Sequence, residues 1–417
     1  MRIALYHPWV YVKSGLERTL LEIVRRSRHD WTVYTSHYDR EGTYPELKDL
    51  PIVELSRVSV RRTYGAALSG AMHLATTRID LRNFDALVIS CDGLGDLLTL
   101  RNASRPLLCL CFTPLRATFD QFYRERLLQR TGALRPLAIL AEFGFRVIDR
   151  FCWRRYDSVI AISETVRQRI VDGGLYPSDE IQILHPGIDG ERIRPSPEFE
   201  PYFLVAGRIM WTKNIQLAIE SFALARPQLP PGFRLKIAGM VDAKSQAYFA
   251  DLSRRAAEIG GIEFVLGPTD TEMRTLYDRC SAGLFTAFNE DWGLVPVELM
   301  AAGKPVLAVD AGGPRESVLD DQTGYLEPDD AAAFARRMVT LGNNTALARK
   351  LGAAGAERAR LFTWEAFVAG LDDSIDRLVL TSRGGKSVNF GRRGKSGRSR
   401  AVRSAPFLDI NSRHGGG

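Results

Sequence analysis

Residues 286–308 read TAFNEDWGLVPVELMAAGKPVLA and predict a loop and a short helix between two buried strands. The apolar run 283–285 precedes the loop, and a second apolar run, 305–309, follows the helix-stopping Gly303. Pro296 suits the first turn of a helix, where the backbone N–H groups have no partner within the helix. We therefore expect a strand–loop–helix–strand unit within an α/β sheet.

Two glutamates lie on either side of this turn. Glu290 is predicted on the loop at the carboxyl end of a strand, where open α/β sheets bind ligands. Glu298 is predicted on the first turn of the helix, whose N–H groups favour an anion such as phosphate. The unit therefore suits a molecule with phosphates at one end and hydroxyls at the other. The spacing of the two glutamates alone is also compatible with a capped surface helix.

The chain has 417 residues, which is enough for two domains with full cores. Its composition, 45% hydrophobic and 25% charged, is typical of a soluble globular protein, and it contains no apolar run long enough to cross a bilayer. The N-terminus reads as a first strand and not as a signal peptide.

Five cysteines without paired metal spacing predict reduced thiols in a cytosolic protein, and we interpret Cys109 and Cys111 as packing residues.

The positive charge is concentrated at the C-terminal end. Residues 381–417 contain nine Lys or Arg and one Asp. The net charge of this segment therefore exceeds the +7 of the whole chain, and the remaining residues are close to neutral. Its Gly, Ser and Arg content predicts a disordered tail. The tail could contact anionic lipid or nucleic acid through charge alone, but we favour a solvated extension.

The N-terminal half alternates short apolar runs with helical patterns, which predicts βαβ units and a parallel sheet. The strand candidates are residues 2–6, 31–35, 86–90, 107–112, 158–162 and 181–184. The G-x-G-x-x-G pattern is absent after the first strand, which argues against a nicotinamide enzyme.

Residues 130–155 contain six arginines interleaved with apolar residues. They predict a basic amphipathic helix, which either lies on an anionic membrane surface or faces the core with its arginines solvated or paired.

The second half restarts the βαβ pattern, with strand candidates at 202–206, 234–238 and 262–265. Arg208 and Lys213 lie five positions apart in the loop after the first of these strands. A bidentate guanidinium and an ammonium beside a helix start suit a diphosphate. Helices are predicted near 329–342, 345–361 and 364–380.

These motifs together resemble the signature of family 4 retaining glycosyltransferases. Glu290 followed by Gly-Leu, Glu-Leu-Met-Ala and Gly-Lys-Pro-Val matches that signature, as does Gly207-Arg208 followed by Lys213-Asn214. The segment Ser14-Gly15-Leu16-Glu17-Arg18 is similar to the family's Gly-Gly-x-Glu-Arg turn, with serine in place of the first glycine. Phe112-Thr113-Pro114-Leu115-Arg116 is similar to a His-Thr-Pro-x-Arg segment of mannosyltransferase-like members. The resemblance covers nearly all of residues 1–380.

The resemblance implies an α/β protein of the GT-B fold, with two Rossmann-like parallel-sheet domains facing each other across a cleft. It places an N-terminal acceptor-side domain at 1–189, a C-terminal nucleotide-sugar-binding domain at 201–363 and a helix returning to the first domain at 364–380. The polar, Pro-containing stretch 190–200 predicts a flexible linker that would let the domains close, and the basic tail at 381–417 follows the last helix.

The family's functional residues are carried over by position. Glu290 would hold sugar hydroxyls near the reacting carbon, while Arg208 and Lys213 would stabilise the leaving diphosphate. The implied donor-binding residues are Gly15, Gly207, Val265, Leu266, Gly293, Leu294 and Glu298, with the backbone of Val265 and Leu266 at the base and Glu298 at the ribose. Arg116 would contact the acceptor or the donor sugar, or else is an arginine at a helix start.

The implied reaction moves a sugar, with retention, from a nucleotide-diphosphate donor to a hydroxyl of a glycan or lipid-linked acceptor in cell-envelope polysaccharide biosynthesis. The Thr-Pro-Leu-Arg segment favours GDP-mannose over UDP-sugars. We expect no cofactor, no metal and no specific nucleic acid partner. The expected location is the cytoplasm, with a peripheral contact at the inner face of the membrane left open.

Phe112 stands where related sequences have histidine, and it can neither transfer a proton nor hydrogen-bond a sugar. The resemblance implies a phosphate oxygen of the donor as the base, which requires nothing of Phe112. Two other functions stay open. One is a catalytically weak relative that binds a sugar nucleotide, and the other is a membrane- or nucleic-acid-associated scaffold that uses the basic tail.

Overall fold

Thirteen strands form two parallel sheets, one in each of two domains, within the part of the chain that the structure describes. The computed structural model describes residues 1–55, 64–129, 131–190 and 193–383. Most of the predicted basic tail lies outside these residues, as do Arg130 of the predicted basic helix and two residues of the predicted linker. In the described ranges, no helix has both the length and the apolar composition needed to cross a bilayer. The two-domain α/β fold predicted from the sequence is confirmed.

The N-terminal sheet has seven strands in the order β3-β2-β1-β4-β5-β6-β7. They are β1 (Arg2–His7), β2 (Asp30–Thr35), β3 (Ile52–Glu54), β4 (Ala86–Gly93), β5 (Leu107–Pro114), β6 (Ser158–Ala161) and β7 (Ile181–Ile183). The helices of this domain are α1 (Gly15–Arg26), α2 (Tyr64–Thr76), α3 (Arg116–Phe119), α4 (Gln121–Gln129), α5 (Arg135–Trp153) and α6 (Glu164–Asp172). All eight residues of β5 are buried, as expected for a central strand covered on both faces. The six predicted strands are present, and the edge strand β3 is an addition.

The C-terminal sheet has six strands in the order β10-β9-β8-β11-β12-β13. They are β8 (Tyr202–Ala206), β9 (Arg234–Gly239), β10 (Ile262–Leu266), β11 (Ala282–Phe285), β12 (Val306–Val309) and β13 (Gly324–Glu327). The helices are α7 (Ile215–Ala225), α8 (Gln246–Ile259), α9 (Asp270–Arg279), α10 (Leu294–Ala301), α11 (Pro314–Ser317), α12 (Ala331–Asn343), α13 (Thr345–Ala359) and α14 (Trp364–Arg383). The strand–loop–helix–strand unit predicted around residues 283–309 is confirmed as β11, α10 and β12.

The chain passes between the domains twice, and the two crossings are hydrogen-bonded to each other. The N–H of Ile188 donates to the carbonyl of Phe362 (3.0 Å), and the N–H of Trp364 donates to the carbonyl of Ile188 (3.4 Å). A Cβ atom on Gly187 would lie 2.1 Å from the carbonyl carbon of Thr363, so this approach requires glycine.

After the second crossing, α14 packs on α1 of the N-terminal domain. Asp372 of α14 accepts hydrogen bonds from Ser27 Oγ (2.6 Å) and from the backbone N–H of Arg28 (3.0 Å) just beyond α1. Leu371 and Ile375 of the same helix are fully buried. The last helix of the described chain therefore completes the core of the first domain.

Residues 196–199 of the predicted linker contact the C-terminal domain. Lys304 is fully buried, and its ammonium donates to the carbonyls of Ser196 (3.3 Å) and Glu198. The same ammonium lies 3.7 Å from the centre of the Phe199 ring. Burial lowers the pKa of Lys304 to about 8. A buried ammonium requires hydrogen-bond acceptors, and the linker backbone supplies them.

Two glycines after β12 bring a second loop against the backbone of the Glu290 loop. A Cβ atom on Gly312, where φ is +69°, would lie 2.3 Å from the carbonyl oxygen of Glu290. A Cβ atom on Gly313 would lie 2.1 Å from the carbonyl oxygen of Trp292. The N–H of Gly313 also donates to the carbonyl of Glu290 (2.8 Å). The Gly-Gly pair therefore fixes the position of the loop that carries Glu290.

Two buried carboxyl groups lie in the N-terminal domain between the sheet and α5. Asp96 accepts hydrogen bonds from the Tyr156 hydroxyl (2.6 Å) and the Cys91 thiol (2.9 Å). Asp149 of α5 is 1% exposed, and neither of its carboxyl oxygens has a hydrogen-bond partner among the described residues. Burial, together with the nearby Asp96, raises the pKa of Asp149 far above its usual range. Burial and the neighbouring carboxyl therefore favour the neutral form of Asp149.

We expect Gly313→Ala to destabilise the protein by about 1–3 kcal/mol, because the added Cβ overlaps the Trp292 carbonyl and the loop must move. Denaturant unfolding measures this change. Gly190→Ala is the matched control, since a Cβ there meets no atom within 4 Å. Equal stability of the two variants would contradict the proposed packing.

Asp149 should make the protein less stable as pH rises. A carboxyl with a raised pKa contributes its full stability below its unfolded pKa of about 4, and this contribution is lost as pH rises towards the folded value. We expect the melting temperature of the wild type to fall from about pH 5 to pH 9 and that of Asp149→Asn to fall less, since an amide does not ionise. Asp179→Asn, at an exposed position, should keep the wild-type slope. The same slope in wild type and Asp149→Asn would rule the effect out.

Candidate active site

The predicted site residues of the C-terminal domain lie where the strand order of its sheet reverses direction. The sheet has the strand order β10-β9-β8-β11-β12-β13, so that successive strands are added outward from β8 on one side and outward from β11 on the other. Arg208 follows the carboxyl end of β8, and Glu290 follows that of β11. Open α/β sheets bind ligands in the crevice at such a switch point.

Lys213 and Glu290 form a salt bridge at this point. The Lys213 ammonium lies 2.9 Å from Glu290 Oε1, and each side chain is about one-quarter exposed. The two loops are also joined through their backbones, because Thr286 Oγ1 donates to the carbonyl of Lys213 (2.8 Å) and the N–H of Phe288 donates to the carbonyl of Thr212 (2.9 Å). These backbone contacts hold the Lys213–Glu290 pair in place.

The charges around Glu290 keep it ionised. Burial alone would raise the pKa of this carboxyl, but the positive charges of Lys213, Arg116 and Arg208 outweigh burial and lower the pKa below its ordinary value. In the part of the chain that the structure describes, Arg208 forms no salt bridge of its own. Its guanidinium therefore acts on Glu290 at longer range and has no bound carboxylate to displace when an anion enters.

The N-terminus of α10 adds backbone donors beside this pair. Gly293, where φ is +90°, is the N-cap residue, and no side chain caps the first turn that begins at Leu294. A Cβ atom on Gly293 would lie 3.0 Å from the Phe285 ring. Uncapped N–H groups at a helix start favour an anion.

Glu298 is the fifth residue of α10, one turn further along the helix than the sequence predicted, because the helix begins at Leu294 and Pro296 is its third residue. Its Oε2 accepts a hydrogen bond from the Tyr277 hydroxyl (2.8 Å). Burial raises the pKa of Glu298, opposed by the Tyr277 hydrogen bond and by the charge of Arg18 from the N-terminal domain. Glu298 therefore lies in the C-terminal wall of the cleft, within electrostatic reach of the opposite wall.

The backbone expected near a nucleotide base lies at the carboxyl end of the edge strand β10. Val265 and Leu266 are its last two residues, and Leu266 pairs in register with Gly239 of β9. Gly207, where φ is +124°, follows β8, and a Cβ atom on Gly239 would lie 1.8 Å from the Gly207 carbonyl oxygen. Val265, Leu266 and Gly207 therefore lie at the same side of the sheet, where its parallel strands end.

Gly15 lies across the cleft from Leu294. A Cβ atom on Gly15 would be 3.4 Å from Leu294 Cδ1, so the N-terminal domain approaches α10 at this glycine. Ser14, which replaces the first glycine of the expected turn, is the N-cap of α1 and accepts a hydrogen bond from the N–H of Leu16 (3.3 Å). Ser14 also donates to the buried Glu17. The serine thus has a structural function that the turn motif did not suggest.

Arg116 belongs to the contact between the domains. It begins α3, and its guanidinium donates to the backbone carbonyl of Asn289 (2.9 Å) and pairs with Asp120 (2.9 Å) and Asp291 (3.5 Å). The guanidinium also stacks 3.9 Å from the centre of the Tyr123 ring. Arg116 therefore lies at the start of a helix and also binds the loop that carries Glu290, in the other domain.

A buried arginine that sequence reasoning missed joins the same network. Arg169 of α6 is 6% exposed and pairs with Asp291 of the C-terminal domain and with Asp120 (3.2 Å). It also donates to Thr113 Oγ1 (2.8 Å). The only sequence signal was the position of Asp291 next to Glu290.

Glu316 makes a second contact between the domains. Its carboxylate accepts hydrogen bonds from the N–H groups of Glu164 (2.8 Å) and Thr165 (3.2 Å) at the start of α6, and it contacts His185 Nε2 (2.9 Å). A carboxylate at a helix N-terminus is favoured by the helix dipole. One domain therefore caps a helix of the other.

Aromatic side chains from both domains meet beside Lys213. The Phe122 ring of α4 lies 4.8 Å from that of Phe288, and Tyr123 lies 5.2 Å from Trp211. Arg126 stacks on the Trp211 ring at 4.0 Å. These contacts close one end of the cleft, and the sequence did not indicate them because the rings are far apart along the chain.

Three buried thiols lie together in the N-terminal domain, on β4 and β5. The Sγ atoms of Cys91, Cys109 and Cys111 are within 4.8 Å of one another. Burial raises the pKa of each thiol, so all three stay protonated and pack as small apolar groups. Sequence reasoning missed Cys91 because it lies on the neighbouring strand. Phe112 is also buried in this region.

The sequence of the C-terminal domain matches a known enzyme family. The family described as Glycosyl transferases group 1 matches residues 190–358. The chain is 24% identical to the alpha-1,3/1,6-mannosyltransferase ALG2 of Kluyveromyces lactis over 92% of this chain and 86% of that protein. It is 26% identical to ALG2 of Mus musculus, over 88% of this chain and 94% of that protein.

Solved structures share the architecture of the whole chain. Anabaena Alr3699/HepE in complex with UDP and glucose superposes with a TM-score of 0.68 at 18% identity, covering 91% of this chain and 100% of that one. WaaG, a glycosyltransferase involved in lipopolysaccharide biosynthesis, superposes with a TM-score of 0.65 at 18% identity, covering 89% and 99%. The fold is therefore GT-B, and the sequence relatives support a glycosyltransferase.

Proposed function

We propose that this protein is a retaining glycosyltransferase that transfers mannose from GDP-mannose to a hydroxyl of a glycan or lipid-linked acceptor in cell-envelope polysaccharide biosynthesis. The observation that carries the proposal is the Lys213–Glu290 pair, which lies at the switch point of the C-terminal sheet beside Arg208. The nucleotide sugar is a substrate, and the proposal requires no metal or cofactor.

Arg208, Lys213 and the first N–H groups of α10 stabilise the leaving diphosphate. Cleavage of the bond between the sugar carbon and the phosphate oxygen places negative charge on that oxygen. Preorganised cations and backbone donors bind this charge more strongly in the transition state than in the ground state. Lys213 shares its ammonium between Glu290 and the diphosphate, while Arg208 provides a guanidinium without a carboxylate partner in the described chain. Gly15 and Gly293 let the backbone approach the phosphates.

Two carboxylates orient the rest of the donor. Glu290, ionised because of the surrounding cations, accepts hydrogen bonds from sugar hydroxyls next to the reacting carbon. Glu298 accepts a hydrogen bond from the Tyr277 hydroxyl on Oε2. Its other oxygen, Oε1, can then accept hydrogen bonds from the ribose hydroxyls. The strand end at Val265 and Leu266 contacts the base through its backbone.

The acceptor hydroxyl loses its proton to a phosphate oxygen of the donor. Phe112 is buried and has no group that accepts a proton. The acceptor oxygen forms the new bond to the sugar carbon while the bond to the diphosphate breaks, and the proton leaves on the diphosphate. Arg116, fixed beside Asn289, positions the loop that holds the donor sugar.

The choice of mannose is supported by the ALG2 relatives, which are named as mannosyltransferases. The UDP and glucose of the HepE complex make UDP-sugars the alternative donors. We also propose that the protein works in the cytoplasm, in peripheral contact with a membrane that holds the acceptor. A catalytically weak sugar-nucleotide-binding relative and a scaffold using the basic tail are the competing functions.

Donor binding can be tested by thermal shift across a panel of GDP-, UDP- and dTDP-sugars. We expect one nucleotide class to raise the melting temperature and Lys213→Ala to weaken its binding roughly 10- to 100-fold, because a hydrogen bond to a charged group is lost. Lys350→Ala, an exposed lysine on α13, is the control and should bind like the wild type.

Turnover separates an enzyme from a binding protein. Slow hydrolysis of the bound donor should fall about 100-fold in Glu290→Gln, which keeps the shape of the side chain and loses its charge. A protein that binds the donor but neither hydrolyses it nor transfers its sugar to any acceptor tested would be assigned to the catalytically weak relatives. A panel that produces no melting shift at all would overturn the transferase proposal.

A further inference from the structure

Helix α5 exposes its apolar side to solvent. Six large apolar side chains recur on it every one to four residues, and each is between 49% and 65% exposed. They are Leu137, Leu140, Phe143, Val147, Ile148 and Phe151, and we refer to them as the α5 apolar face. An apolar surface this continuous on a protein usually marks an interaction site.

On the side of α5 that packs against the protein, two buried apolar residues of the last turn accompany acidic groups that are buried or paired. Asp149 is buried, and Glu142 forms salt bridges with Arg124 of α4 (2.7 Å) and with Arg146 (2.9 Å). These are the two acidic residues of α5, and both are directed towards the protein. The exposed side of the helix therefore carries apolar groups without negative charge.

Arginines flank the α5 apolar face. Arg135 begins the helix, Arg150 is in its last turn and Arg154 follows it, and all three are exposed. The Arg150 guanidinium donates to the carbonyl of Gly173 (2.9 Å), which holds it at the edge of the helix. A helix with an exposed apolar side and flanking cations is suited to lie in the interface of an anionic bilayer.

We propose that the α5 apolar face inserts into the surface of an anionic lipid bilayer, with Arg135, Arg150 and Arg154 at the level of the headgroups. This inference specifies the residues of the peripheral membrane contact that the proposed function includes. It rests on the proposed function only where it concerns a lipid-linked acceptor. A second copy of the chain fits the same face less well, because a two-fold contact brings the arginines of both copies together, whereas anionic headgroups complement them.

The bound orientation places the cleft near the lipid. Helix α4 is tied to α5 by the Arg124–Glu142 salt bridge, and its Phe122 packs on Phe288 at the closed end of the cleft. A bilayer against α5 therefore lies one helix away from the site. A lipid-linked acceptor could then reach the donor without leaving the membrane.

Co-sedimentation of the full chain with vesicles tests the proposal. We expect binding to vesicles of phosphatidylglycerol and phosphatidylcholine and much weaker binding to phosphatidylcholine alone. The triple variant Leu140→Gln, Phe143→Gln and Phe151→Gln should bind at least tenfold more weakly. The matched control replaces three leucines of similar exposure outside the face, Leu224→Gln, Leu361→Gln and Leu380→Gln, and should bind like the wild type. The pair Arg135→Gln and Arg154→Gln should reduce binding to the anionic vesicles only.

Three results would overturn the proposal. The triple variant could bind vesicles like the wild type, or removal of residues 384–417 could abolish all binding while α5 is intact. The wild type could also self-associate in sedimentation velocity without binding vesicles, with the triple variant monomeric, which would assign the face to a second copy. Melting temperature and nucleotide-induced stabilisation should be unchanged in the triple variant. A failed donor panel with intact vesicle binding would therefore count against the proposed function alone.

Discussion

The loop between β11 and α10 supports both the site and the contact between the domains. Glu290 faces Lys213 across the switch point of the C-terminal sheet, and the next residue, Asp291, pairs with Arg169 of the other domain. The close approach of Gly312 and Gly313 fixes the same backbone from a third side. Two consecutive carboxylates therefore connect the donor site to the relative position of the domains, and a shift of this loop would disturb both.

The electrostatics of the cleft depend on local pairing of cations with carboxylates and not on the net charge of the protein. The folded body is close to neutral, yet Lys213, Arg116 and Arg208 together lower the pKa of Glu290 against the effect of burial. Lys213 and Arg116 already have carboxylate partners, so an incoming diphosphate competes with Glu290 and Asp291 for their charge. Arg208 has no such partner in the described chain. Protein carboxylates therefore compensate two of the three cations, and Arg208 is the one that an anion can bind without such competition.

The sequence was informative wherever the signal is local. Alternating apolar runs predicted most strands, and the glycine, proline and glutamate positions of residues 286–308 predicted the unit β11–α10–β12. Contacts between distant residues left no local pattern: Lys213 and Glu290 are 77 positions apart, and Glu164 and Glu316 are 152 apart. Lys304 belongs to the Gly-Lys-Pro-Val segment of the signature, and nothing next to it in the sequence indicates that it is buried and binds the linker. The apolar periodicity of α5 is visible in the sequence, but periodicity does not show whether an apolar face is covered or exposed.

The position of α14 affects how the chain matures on the ribosome. Domains are usually completed in the order in which they are synthesised. Here the groove beside α1 is filled by Leu371 and Ile375, and Asp372 binds the chain just after α1. The first domain therefore emerges with part of its core open and stays so while the whole second domain is translated. Its final closure depends on the last helix to be made, so the two domains become complete together.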